Sequence, residues 1–274
     1  MARKLFCELH PICYDISVIK CRIHRHVKDL FSKEKFAEDK QADKLPVLVY
    51  EHKSLIRRKL GNVDLQLQEN KAKNLSLAAP KVTGVLIRPG ETFSFWKLVG
   101  KTNAKKGYLP GLTISCGKTQ KGIGGGMCQF TNLLHWMVLH SPLTVTERHH
   151  HDRYDLFPDF GRQVPFGTGT SIMYNYLDYR VKNNTGQTFQ IFTWVTDEYL
   201  CGELRCEREL PNSWHIQCEE ERFIKETDII YREGKIYRSK FDKKSGNLLE
   251  KELLQINHAQ VMYKAEHLLK KEEV

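Results

Sequence analysis

The chain has 274 residues, 41% hydrophobic and 28% charged, an ordinary globular composition with room for one large or two small domains. No stretch reaches 18 apolar residues, so no membrane-crossing helix is expected. The net charge is +10, front-loaded: residues 1–60 hold 14 basic against 8 acidic side chains. That balance suits an anionic membrane face or anionic substrates. It argues against nucleic acid, because neither a dense basic stripe nor a known binding module is visible.

Met1 to His10 starts basic but lacks an apolar core of signal-peptide length. A cytoplasmic chain is therefore expected, with membrane association left open. The eight cysteines include no C-x-x-C pair, which argues against a zinc ribbon or a thioredoxin-type site. Free thiols are expected.

Residues 10–31 predict a helix. Ile12, Ile16, Ile19, Ile23, Val27 and Leu30 recur at steps of three and four, and Pro11 suits the first position. This apolar seam is expected to dock on the rest of the protein, with a membrane surface as the alternative. Lys33 to Lys44 reads as a charged connector and Leu45 to Tyr50 as a short strand. Residues 66–83 predict a second helix that Pro80 should kink or end.

Two strands then follow, Val85 to Arg88 and Thr92 to Trp96, with a Pro89-Gly90 turn between them. Leu112 to Cys116 predicts a third. A glycine-rich loop leads into the apolar run Phe130 to Leu139, which reads as a buried helix stopped by Ser141-Pro142. Beyond it the strands Leu143–Glu147, Ile172–Val181, Phe189–Val195 and Leu200–Cys206 are predicted. Asn183-Asn184-Thr185-Gly186 reads as a hairpin turn. From residue 222 a small meander is expected, with Glu233-Gly234 separating Ile229–Tyr231 from Ile236-Tyr237. Leu248 to Ile256 supplies its last strand.

The fold class is thus α+β: a mixed, mostly antiparallel sheet, a buried helix starting at the Gly-rich loop, N-terminal helices and a β-rich C-terminal meander. The expected division is an N-terminal extension (1–60), a central domain (61–205) and a C-terminal β-rich tail packed on it (206–274).

Chemistry concentrates in Gly122-Ile123-Gly124-Gly125-Gly126-Met127-Cys128-Gln129. Cys128 falls in the first turn of the buried helix, where unpaired N–H groups carry partial positive charge and favour a thiolate. Gly124, Gly125 and Gly126 would leave room for a substrate, and Gln129 is a spare donor. The same loop would serve as an anion cradle, or Cys128 as a small buried core residue.

A second polar cluster, Glu147-Arg148-His149-His150-His151-Asp152, can return to the helix start. Strand alternation sends His149 and His151 to one face and His150 to the other. One of the first two would be the general base for Cys128. Glu147 and Arg148 are expected to support structurally. Asp152, Asp155, Asp159 and Asp178 are all available to orient the histidine. His149, His150, His151, Cys128, His135 and His140 are zinc-type ligands. Extended neighbours point opposite ways and no paired ligand motif occurs, so no metal and no cofactor are expected.

Several segments together resemble the VanW family: Asn74 to Ala79, Val85 to Phe95, Gly122 to Asn132, Glu147 to His151 and Asp178 to Thr185. The resemblance implies a link to glycopeptide (vancomycin) resistance and cell-wall metabolism. Some larger, exported VanW-domain proteins are regarded as cysteine-dependent L,D-transpeptidases, and the resemblance to them implies Cys128 as nucleophile and His151 or His149 as its partner. It also implies a peptidoglycan stem peptide or precursor as ligand, with other resistance proteins as further partners. A non-enzymatic accessory protein that binds a precursor through the Gly-rich loop is the alternative. Where the wider family carries an Asp, in a Gly-x-Asp-Ala pattern, this chain has Gly169.

Overall fold

The computed structural model describes residues 5–57, 64–115, 118–150, 153–159 and 163–269. Cys116, His151 and Asp152 lie outside them. The helices are α1 (Phe6–Leu9), α2 (Pro11–Phe31), α3 (Leu65–Val82), α4 (Phe95–Val99) and α5 (Met127–Leu139). The strands run β1 (Lys35–Phe36), β2 (Val47–Leu55), β3 (Val85–Ile87), β4 (Glu91–Ser94), β5 (Pro110–Ser115), β6 (Lys118–Ile123), β7 (Thr144–Glu147) and β8 (Tyr154–Asp155). They continue with β9 (Arg180–Lys182), β10 (Phe189–Val195), β11 (Tyr199–Cys206), β12 (Asn212–Glu226), β13 (Ile229–Asp242) and β14 (Leu248–Val261).

α5 is the buried helix that the apolar run predicts. Phe130, Leu133, Leu134, Met137 and Val138 are almost wholly shielded. Burying each such side chain contributes roughly 1.5–3 kcal/mol. α5 rests on the antiparallel sheet β2-β11-β10-β3. The contact is close because Gly202 on β11 has no side chain. A Cβ there would stand 2.8 Å from Met137 Cε and 2.9 Å from Leu133 Cδ2. α3 packs on β10, β5 and α4. β2, which precedes residue 60, is thus an edge strand of the central sheet.

A second sheet runs β1-β4-β9-β7, with β1 and β4 parallel. A third runs β12-β13-β14-β8, with β14 and β8 parallel. β5 and β6 form a hairpin. All other pairings are antiparallel, so the architecture is α+β with mixed, mostly antiparallel sheets.

The structure differs from the sequence pattern at defined points. α2 has the predicted bounds, but its apolar seam faces outward and its polar side docks. Arg25 holds Glu147 with two hydrogen bonds of 2.6 Å, and Arg180 holds Asp29 at 2.8 and 2.7 Å. Phe95 and Trp96 open a helix instead of ending a strand, because the Ser94 hydroxyl caps Lys97 N–H. Residues 172–179 turn back on themselves (Met173 N–H to Leu177 O, 3.0 Å), which leaves only 180–182 as strand.

Asn183 to Gly186 joins two different sheets and is not a hairpin. The buried Asn183 side chain donates to Ile87 O (2.7 Å) and Gln187 O (2.8 Å), taking ladder positions itself. Glu233-Gly234 lies inside the continuous strand β13, where Gly234 pairs with Asn257. The chain reverses earlier, at Thr227, whose φ is 58°.

Candidate functional site

The glycine loop is held from behind by Asn74 of α3. This fully buried amide donates to Gly125 O (2.9 Å) and Leu109 O (3.0 Å) and accepts from Leu109 N–H (2.8 Å). Gly124 N–H is bonded to Leu109 O and Gly125 N–H to Gly122 O.

The space that glycine leaves is filled by the protein itself. A Cβ on Gly125 would fall 2.4 Å from the Gly111 carbonyl carbon. One on Gly124 would fall 2.4 Å from Thr102 Oγ1, and one on Gly126 2.6 Å from Lys71 Cγ. Gly126 also has φ 109°, a left-handed turn into the helix. On the side where a Cβ would project, the missing side chains let β5, Thr102 and α3 approach. Gln129 is likewise not spare, since its Nε2 donates to Ser54 Oγ and Leu55 O of β2, both at 2.9 Å.

Cys128 sits at the second position of α5 and is partly exposed as a residue. Its sulfur lies under the loop that follows residue 165. Burial pushes the thiol above its ordinary value, against the opposing pull of the nearby backbone N–H groups of Ile172 and of Cys128 itself. The sequence suggests a lowered value from the helix start. Here desolvation of the charged form outweighs the pull of the backbone N–H groups.

That covering loop is latched to the helix. Asn132, four residues after Cys128 and on the same helix face, accepts from Thr170 N–H (2.6 Å) and Thr170 Oγ1 (2.8 Å). Thr131 Oγ1 lies 2.5 Å from Thr170 Oγ1. Arg148, half-buried, reaches Gly169 O (3.0 Å) and Gly167 O (2.6 Å), and Ser171 N–H donates to His149 O (2.7 Å). The histidine segment and the Cys128 helix therefore both hold one loop.

The three histidines diverge. His149 turns to Glu147, Nε2 to Oε1 at 2.9 Å. His150 lies against Gly169: a Cβ on that glycine would be 3.4 Å from His150 Nδ1 and 3.8 Å from Asn132 Oδ1. His151 is outside the described residues. Glu147 is the hub of a support network, with Arg25, Asp178 N–H (2.9 Å) and His149 around it.

Among the described residues, the candidate orienting carboxylates Asp155, Asp159 and Asp178 are engaged elsewhere. Asp155 and Asp159 both pair with Arg232. Asp178 accepts from Ser94 Oγ (2.5 Å), Trp96 N–H and Arg180. His135 is buried against Tyr179 OH (3.2 Å), and burial drives its pKa well down. His140 stacks on Tyr50, and burial brings it to about 4. Among the described residues, the group whose ligand atoms converge as a metal site would need is Glu226, Glu233 and His258 on the C-terminal sheet, far in sequence from Cys128.

Sequence reasoning missed Asn74, Asn132 and Thr170 as site residues. Asn132 was legible in one respect: a polar side chain one turn after Cys128 shares its face.

The family described as "VanW like protein" matches residues 70–205. Over 219 residues the chain is 34% identical to the vancomycin B-type resistance protein VanW of Enterococcus faecalis, covering 80% of this chain and 79% of that protein. Over 123 residues it is 30% identical to the uncharacterized protein YoaR of Bacillus subtilis, covering 45% of this chain and 39% of that one. No solved structure matches significantly. The matched region holds the glycine loop, α5, the histidine segment and the loop over Cys128, and on these similarities the chain belongs to the VanW family.

Proposed function

We propose that this protein acts in glycopeptide (vancomycin) resistance as a cysteine-dependent acyl transferase on peptidoglycan stem peptides or their precursors. The observation that carries the reading is the Cys128 sulfur. It stands at the start of a buried helix, close to the backbone N–H of Ile172, and lies under a loop that the histidine segment holds. The resistance context comes from the name of the Enterococcus faecalis relative.

In this reading the sulfur attacks a stem-peptide carbonyl as its proton passes to an imidazole of the 149–151 segment. The first-turn N–H groups of α5 hold the oxyanion. The amide C–N bond breaks, the imidazolium returns the proton to the leaving amine, and a thioester remains on Cys128. An acceptor amine, or water, then attacks the thioester and restores the thiol. Because the resting thiol is held protonated, base assistance is part of the attack.

The test is intact mass after incubation with a stem peptide. A mass increase equal to the acyl part, absent in Cys128→Ala, supports the reading. Full glycopeptide resistance in Cys128→Ala, with no adduct on the unaltered chain, overturns it. The raised thiol and the filled glycine loop favour a second reading, a non-catalytic protein that binds a precursor. It predicts equal precursor affinity in the Cys128→Ala chain and no adduct at all.

A further inference from the structure

We propose that α2 is a membrane-surface helix that lays the protein on an anionic lipid bilayer. The helix is clamped to the body on one side, by Arg22 to Tyr174 O (3.1 Å), Arg25 to Glu147 and Asp29 to Arg180. The opposite side carries Ile12, Ile16, Ile19, Ile23, Val27 and Leu30, all exposed, from 47% at Val27 to 79% at Leu30. At 100° per residue these six fall in one stripe, and no residue of α2 is buried.

Such a stripe costs free energy in water unless something covers it. Exposed Phe6 and Phe31, in α1 and at the end of α2, add bulky apolar anchors. No helix of the described chain is long and apolar enough to cross a membrane, so the face lies on a surface.

The charges choose the occupant. Lys20 borders the stripe, and Lys28 lies further round the helix on the same side; both are exposed, and exposed Lys33 follows the helix. Of the two acids in α2, Asp29 is taken by Arg180, which leaves Asp15. An anionic headgroup layer would attract these lysines. A second copy of the chain would bring two such sets of lysines together. An interfacial helix combines an apolar face with lysines beside it, as this one does.

The experiment is flotation of the full chain with phosphatidylglycerol vesicles and with phosphatidylcholine vesicles. The chain is expected to float with the first and at least tenfold less with the second. The Ile16→Asp/Ile23→Asp variant is expected to lose flotation. The Lys20→Gln/Lys28→Gln variant is expected to bind roughly thirtyfold more weakly, at about fivefold per cation near the surface. All four side chains are exposed, and an unchanged thermal melt checks folding. If the aspartates disturb it, the lysine pair still decides. Absence of flotation on phosphatidylglycerol, or equal flotation on both lipids, overturns the proposal. So does a dimer in sedimentation that the aspartate variant dissolves while vesicle binding is absent.

Discussion

Arg25 grips Glu147 through two hydrogen bonds of 2.6 Å and thereby fastens the N-terminal helix to the strand that leads into the histidine segment. Both side chains are largely covered, at 14% and 15% exposure. Removing one partner of such a pair strands the other charge. Arg25→Ala is expected to cost about 3 kcal/mol in urea unfolding, near the low end for a broken buried pair, because Asp178 N–H and His149 stay on Glu147. A loss under about 1 kcal/mol would show that the pair behaves as a surface one.

The same network makes stability fall in acid. Burial alone would raise Glu147, but Arg25, the Asp178 amide and His149 overcome it and hold the carboxyl below its usual value. Asp29 is lowered likewise: burial opposes, and Arg180 prevails. A depressed folded pKa means that the unfolded chain binds its proton first as pH falls. The contribution is complete above the ordinary carboxylate range, about 4, and is lost as pH drops through the lower folded values. Urea midpoints measured from pH 7 to pH 3 should fall below about pH 4.5. Glu147→Gln should flatten that fall.

The repeat of apolar residues gave α2 and α5 their limits, and the all-round apolar character of α5 gave its burial. Which side of α2 docks was not legible from hydropathy. The docking side is chosen by Arg22, Arg25 and Asp29, whose partners Tyr174, Glu147 and Arg180 lie more than a hundred residues away. The glycines were legible as a special backbone, but their purpose was not. Whether a missing Cβ admits a ligand or a neighbouring strand depends on Gly111 and Lys71, which only the tertiary fold brings there. The direction of the thiol shift failed for a related reason. A helix start favours a thiolate only while the sulfur stays solvated, and the loop that desolvates it arrives from residues 165–172.

Gly125→Ala tests whether the glycine loop is a packing device. The added methyl would meet the Gly111 backbone at 2.4 Å, and backbone cannot swing aside as a side chain can. A loss of about 1–3 kcal/mol is expected in chemical denaturation, the usual range for overpacking. A variant as stable as the parent chain would mean that the loop is free to open and that the room is available to a ligand after all.

Alkylation of Cys128 should report a weakly acidic thiol. With burial raising it, reaction with iodoacetamide is expected to be slow at neutral pH and to rise with a midpoint above about 8.5, the free-cysteine value. Thr170→Ala removes the hydroxyl that binds Asn132 and Thr131, which loosens the cover over the sulfur. That variant should react faster and at a lower midpoint. A midpoint below 8.5 in the unaltered chain would mean that the N–H groups of Ile172 and Cys128 outweigh desolvation.

Gly169→Asp asks what the loop lacks. The φ of Gly169 lies outside the left-handed region, so an aspartate needs no unusual backbone, and its Cβ would stand in ordinary contact 3.4 Å from His150 Nδ1. A carboxylate beside an imidazole favours the charged ring. The His150 titration, followed by carbon-detected NMR of labelled histidine, should move up by about 1 unit or more. If acyl transfer at Cys128 is limited by the proton acceptor, the variant should also form the thioester faster at neutral pH. A His150 titration that does not move would show that this ring turns away from the loop and that position 169 has no hold on the histidine chemistry.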